Sequence, residues 1–204
     1  MTAPKTEYTG MPATARERGK LAPYKMGHVA ISTGRLDAML DFYCKLLEAQ
    51  IAFRDQHMGF ITYDDEHHRL ALVCPPGLSD RPPGCYGLDH LSFSYHDLGE
   101  LLATYRRLKA LGIEPFWSIN HGPSMSCYYK DPDGNKVELM IDTFNGVAEI
   151  QAFFASGAYL ENPMGIIFDP EEVIARYEAG EPVSQIVRRP KLPAGMTPWD
   201  MLRT

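Results

Sequence analysis

"GHVAISTGRLDAMLDFYCKLLEAQ" runs over residues 27–50, and "DHLSFSYHDLGELLATYRRLKALG" runs over 89–112. Laid over one another at a shift of 62 positions, the two stretches align without a gap. His28 falls on His90, Ile31 on Phe93, Leu36 on Leu98, Tyr43 on Tyr105 and Leu46 on Leu108. Likeness of this kind inside one chain marks a duplicated structural unit. Each copy opens on an alternating run. Val29 and Ile31 face one way while His28, Ala30 and Ser32 face the other, and His90, Ser92 and Ser94 oppose Leu91, Phe93 and Tyr95. That is the period of a strand with one packed face.

A helix follows each strand. In the second copy Leu98, Leu101, Leu102, Tyr105, Leu108 and Leu111 form an apolar helical stripe. Asp97 and Glu100 have the spacing of a capping box, and Gly112 stands where a helix ends. Strand-like runs come next: "QIAFR", "GFITYD" and "HRLALV" in the first copy, "IEPFWSI", "MSCYYK" and "NKVELMID" in the second. Each copy therefore reads as strand, helix, then three strands, and the fold class expected is α+β, built of paired βαβββ modules. The modules cover about residues 23–76 and 86–143, within a domain of 23–143. They are joined by the Pro- and Gly-rich "CPPGLSDRPPGCYG". Residues 1–22 read as a polar N-terminal arm. Residues 144–204 read as a C-terminal extension that wraps the domain, covers a site or contacts a partner subunit. Within it a short helix is expected, with Asp169 as N-cap, Pro170 at its first position and Gly180 past its end.

Composition narrows the function. The chain has 204 residues, 45% hydrophobic and 23% charged, enough for a sizeable core. A net charge of −6 argues against nucleic acid as a partner. No run has the length of a membrane-spanning helix, and the first 20 residues lack the apolar core of a secretory signal. Cys44, Cys74, Cys85 and Cys127 include no CxxC pair, so reduced thiols in a cytoplasmic protein are expected.

The turn "KDPDGNK" predicts a hairpin in which Lys130 pairs with Lys136. Tyr128 then lies opposite Glu138, Cβ atoms roughly 5 Å apart. Val137, Leu139 and Ile141 point to the other face. Glu138 is thus set apart from the apolar stripe with a phenol beside it. His28 and His90 hold matched places in duplicated strands and would converge on one point. Two histidines and a carboxylate make the facial triad that leaves open positions on an octahedral metal. Each of the three also has an ordinary reading, the histidines as partly buried strand starters and Glu138 as a solvated hairpin residue. "DDEHHRLALV" (64–73) poses a further question, because strand neighbours point to opposite faces and only one of His67 and His68 can share a face with Leu70 and Leu72.

On these residues the chain resembles the vicinal oxygen chelate superfamily. Within it, the chain resembles the type I extradiol catechol dioxygenases, the group of the 2,3-dihydroxybiphenyl and catechol 2,3-dioxygenases, in a single-domain form. The likeness covers about residues 24–143. It implies an open-barrel metal site in which His28 of "GHV", His90 of "LDHLSF" and Glu138 of "DPDGNKVEL" hold Fe(II), or alternatively Mn(II). It implies His68 of "EHHRLAL" as the acid–base residue facing the metal cavity, with His67 facing away. It implies Tyr128 of "CYYKDP" and His121 of "NHGPS" as hydrogen-bond partners of the bound substrate. The activity implied is ring cleavage beside the two hydroxyls of a small-molecule catechol, with O2 as co-substrate, in a cytoplasmic homo-oligomer that contacts neither nucleic acid nor membrane. A metal-dependent isomerase or lyase on the same fold, or a metal-free binding protein, are the competing readings. His57, His67 and His96 are read as structural, and Phe116, Trp117, Met125 and Phe144 as pocket or core residues.

Overall fold

The computed structural model describes residues 23, 25–82 and 84–204; the expected N-terminal arm lies outside them. The first module contributes β1 (Val29–Ser32), α1 (Leu36–Leu47), β2 (Gln50–Arg54), β3 (Met58–Thr62) and β4 (Leu70–Val73). The second contributes β5 (His90–Ser94), α2 (Leu98–Ala110), β6 (Trp117–Asn120), β7 (Ser124–Lys130) and β8 (Lys136–Asp142). The sheets have the same order, β1-β4-β3-β2 and β5-β8-β7-β6. In each, the first strand runs parallel to the last strand of its module and the remaining neighbours are antiparallel. The chain is therefore α+β with paired βαβββ modules, and the two sheets do not join into one closed barrel.

Local chemistry sets the helix ends. Asp97 accepts from the Glu100 N–H at 3.0 Å, while the Glu100 carboxylate reaches back to the His96 N–H at 2.9 Å, one residue further than a capping box requires. At the other end Gly112 adopts φ +75, and the bonds Gly112 N–H to Lys109 O and Ile113 N–H to Leu108 O close a Schellman turn.

The helix stripes meet in one core. Met39, Tyr43 and Leu46 of α1 and Leu98, Leu101 and Leu108 of α2 pack with Leu72, Val137 and Leu139 from the two sheets. Polar ties cross the module boundary, one buried in the core and one at its margin. The Tyr43 hydroxyl donates to Asp131 at 3.0 Å, and Arg107 donates to the Lys45 and Leu46 carbonyls at the end of α1.

The extension is more structured than its sequence suggests. It forms α3 (Val147–Ala155), α4 (Ala158–Glu161), β9 (Ile166–Ile167), α5 (Pro170–Glu178), α6 (Val183–Ile186) and a 3-10 turn at Pro198–Met201. Only α5 is expected from sequence, and its N-cap Asp169 and Gly180 at φ +79 are as read. β9 pairs with β6 through Ile119–Ile167 and Asn120–Ile166, making the second sheet five-stranded. Helix α5 lies on α2, where Glu171 accepts from Tyr105 and Lys109 and Arg106 pairs with Glu178. Val173 and Ile174 are buried in the common core. Among the described residues no helix is long and apolar enough to cross a membrane.

Candidate active site

The hairpin register places Lys130 against Lys136 and Tyr128 against Glu138, as the turn predicts. Partners in neighbouring strands share a face. Extending the row outward, Ser92 pairs with Glu138 and Trp117 with Tyr128. One transverse row therefore crosses the second sheet: Ser92, Glu138, Tyr128, Trp117. Val137, Leu139 and Ile141 occupy the opposite face and fill the core. Sequence alternation thus turns a buried carboxylate, 5% exposed, away from the apolar interior.

A continuous polar chain runs through this row. The Tyr128 hydroxyl donates to Glu138 Oε1 at 2.8 Å and lies 3.1 Å from His121 Nε2. Glu138 Oε2 lies 3.3 Å from His90 Nε2. His90 Nδ1 is 2.8 Å from the Asp89 carboxylate, which also accepts from Lys136 at 3.1 Å. Because a carboxylate only accepts, Nδ1 carries a hydrogen toward Asp89, and the other ring nitrogen, Nε2, is turned toward Glu138. Burial and the neighbouring Glu138 charge push the Tyr128 phenol well above its ordinary pKa, so it stays a proton donor. Trp117 stacks on Tyr128 with ring centroids 4.7 Å apart, and its indole N–H donates to Met201 O at 2.8 Å. Burial pulls the His121 pKa down, against the opposing effect of its bond to the Met164 carbonyl.

The first module holds the other two candidates. His28 and His68 lie with ring centroids 4.5 Å apart, and Phe60 stacks on His68 at the same distance. The alternation argument for "HH" does not apply as posed, since β4 begins at Leu70 and neither histidine lies in a strand. Phe60 pairs with Ala71, so His68 sits on the face opposite Leu70 and Leu72. The His67 side chain is 73% exposed and His68 is half-buried. Desolvation, then the nearby His28 and His67, lowers the His68 pKa and favours its neutral form.

The structure therefore brings His90, Glu138, Tyr128 and His121 together and sets His28 beside His68. Among the described residues no three His, Cys, Asp or Glu side chains gather into one metal-holding group. The donor chemistry of the second module nonetheless suits a divalent ion. A buried carboxylate oxygen and an imidazole nitrogen face each other at 3.3 Å, and the imidazole's other nitrogen is steadied by an outer carboxylate. Of the pocket candidates, Met125 is core, Trp117 belongs to the row, Phe116 packs near it, and Phe144 contacts Phe153 in the extension. Sequence reading missed Asp89, although it directly precedes His90, and missed Phe60 and the extension's contacts with His121, which no local pattern announces.

Residues 25–139 match the family described as Glyoxalase/Bleomycin resistance protein/Dioxygenase superfamily. The chain belongs to this superfamily. It is 44% identical to biphenyl-2,3-diol 1,2-dioxygenase 2 of Rhodococcus globerulus over 163 residues, 79% of this chain and 86% of that one. It is 38% identical to biphenyl-2,3-diol 1,2-dioxygenase 3 of the same organism over 167 residues, 81% of this chain and 88% of that one. These alignments outrun the superfamily segment, so they take in part of the chain flanking the paired modules. Among solved structures, a glyoxalase/bleomycin resistance protein/dioxygenase from Nocardioides aligns with TM-score 0.51 at 19% identity over 64% of this chain and 91% of that one, a likeness of fold.

Proposed function

We propose that the protein is an extradiol ring-cleaving dioxygenase. It opens an aromatic ring beside two adjacent hydroxyls, and both atoms of O2 enter the product. The observation that carries this reading is the polar chain His121–Tyr128–Glu138–His90, buried at its centre, set in a superfamily member similar to two biphenyl-2,3-diol 1,2-dioxygenases. The favoured substrate is a catechol bearing a bulky apolar substituent.

His90 and Glu138, with His28 as third ligand, would hold Fe(II), a donor set that also accepts Mn(II). The bound ion supplies Lewis acidity toward the diol hydroxyls and a path for electrons from diol to O2. The protein's own groups do the rest. Tyr128, its proton held by a raised pKa, and His121 orient a substrate oxygen by hydrogen bonding. Trp117 stiffens Tyr128 by stacking, so the hydroxyl keeps its direction. His68, kept neutral by desolvation and clamped on Phe60, accepts and returns protons at its ring nitrogen. Free Cys44, Cys74, Cys85 and Cys127 suit a reducing setting, and the cytoplasm is proposed.

The test is a panel of catechols under air with Fe(II)-loaded protein, followed by oxygen uptake and the appearance of a yellow ring-opened product. Cleavage with one O2 consumed per ring is expected. An iron-replete, folded protein that leaves every diol intact would overturn the assignment.

A further inference from the structure

We propose that the C-terminal extension is a positioning device for His121: the Asn162–Gly165 turn sets the ring's tautomer and rotation through the Met164 carbonyl, and Arg189 ties that turn to the strand end carrying His121. The expected kinetic effect rests on the dioxygenase reading, but the structural claim does not.

The argument starts from proton accounting. His121 Nδ1 lies 2.5 Å from Met164 O, and a carbonyl only accepts. Nδ1 therefore carries a hydrogen, and the other ring nitrogen, Nε2, is turned toward the Tyr128 hydroxyl. In water an imidazole can adopt either tautomer; here one backbone oxygen of the extension selects it.

That oxygen is itself fixed. Asn162, 5% exposed, accepts from the N–H groups of Met164 (3.2 Å) and Gly165 (2.9 Å) and donates to Gly165 O (2.8 Å). The closed turn presses against the end of β6. Gly165 has φ +112, and a Cβ there would stand 2.3 Å from Asn120 O and 2.9 Å from His121 Cα. No other residue lets the turn approach this closely.

Arg189 joins the two sides. Its Nη1 donates to His121 O at 3.0 Å and Asn162 O at 2.8 Å, its Nη2 donates to Ala158 O at 2.8 Å, and the guanidinium lies 5.0 Å from the Phe153 ring centroid. Three carbonyls on a planar fork call for arginine, since lysine has no rigid fork to offer them. Desolvation lowers the Arg189 pKa, in keeping with its burial against carbonyls. A further stitch runs from the Asn120 side-chain amide to Val187 O at 2.8 Å. Asn120 and His121 are thus held by parts of the extension far apart in sequence, none of which the proposed chemistry uses directly.

The experiment reads the ring nitrogens of His121 by 15N NMR in the full chain, assigned by the signals lost in His121→Gln. The wild type is expected to show a protonated Nδ1. Asn162→Ala and Gly165→Ala are expected to lose that preference, and Asn162→Asp, which keeps the acceptor for Met164 and Gly165 N–H, to restore most of it. If Gly165→Ala dislodges the whole extension, the Asn162 pair decides. With iron content unchanged, Asn162→Ala should lower kcat/KM for a cleaved catechol by about tenfold to a hundredfold. A wild-type His121 protonated at Nε2 alone, or an Asn162→Ala protein with wild-type His121 signals, overturns the proposal. A tautomer response as expected in a protein inert to all catechols sinks the dioxygenase reading and sustains the positioning role.

Discussion

Across the first sheet, at the level matched by the duplication, Ala30, Ala71, Phe60 and Phe53 stand side by side. Across the second, the row is Ser92, Glu138, Tyr128 and Trp117. Strand order and pairing sense are the same in both. The backbone frame was repeated, but a carboxylate and a phenol occupy only one copy. The edges differ too. Every residue of β2 is exposed, with Ile51 and Phe53 each 46% accessible, whereas all four residues of β6 are buried. Strand β9 of the extension covers β6. The modules teach that a duplicated scaffold sets where a reactive row can lie, while a few side chains and one added strand decide which row is used.

The sharpest way to break this contrast is Glu138→Ala, which makes the second row resemble the first. It is expected to abolish tight iron binding and reduce ring cleavage to background, measured by metal analysis and oxygen uptake; stoichiometric tight iron in the variant would remove Glu138 from the ligand set. His68→Ala tests what the first module contributes. It should keep iron and lower the cleavage rate by about 10²- to 10⁴-fold, and a wild-type rate would deny His68 an acid–base role. The reciprocal change, Ala71→Glu, places a carboxylate between Ala30 and Phe60, on the face that carries His28 and His68. The cost of burying it should exceed what those imidazoles return and destabilise the fold by about 1–3 kcal/mol, seen as a lower denaturant midpoint; an unchanged midpoint would mean the two rows are less different than described.

Much of this was legible beforehand. The shift of 62 positions, the Asp97 cap, Gly112 and the Tyr128–Glu138 register all follow from local rules, because periodicity and turn chemistry act over a few residues. His67 and His68 show where such rules stop. They belong to the turn before β4, so the chain's bend decides their direction. Strand β9 is only two residues long and owes its conformation to the edge it covers, which no window of sequence contains. His28 shows the same limit for the site. Its match to His90 is plain in the sequence, yet His28 stands just before β1 of one sheet and His90 opens β5 of the other, and how the sheets sit together is a tertiary matter.

Two smaller effects sharpen the picture. Tyr128→Phe removes the hydroxyl between His121 and Glu138. A loss of about 1 kcal/mol in stability is expected, with a clear fall in cleavage rate and iron retained; unchanged kinetics would separate the polar chain from the reaction. The last concerns pH. Burial raises the Cys127 thiol to about 12, so the folded state holds this proton to higher pH than the unfolded chain, whose thiol titrates near ~8.5. Its contribution is complete below the unfolded value and declines as pH rises through the interval. Cys127→Ala should therefore flatten the alkaline loss of stability, and in the wild type exposed Cys85 should react with a thiol reagent long before Cys127. Equal labelling rates would contradict the burial described here.

The Trp117 indole is bonded to Met201 O, and Asn120 to Val187 O. A chain leaving the ribosome completes both modules well before those two carbonyls emerge. Nascent molecules thus pass through an interval in which the β6 edge is bare and Trp117 lacks its acceptor. A premature stop or a protease nick just after Gly180 would recreate only the second half of that interval: β9 would still cover β6, but Trp117 and Asn120 would have lost their acceptors.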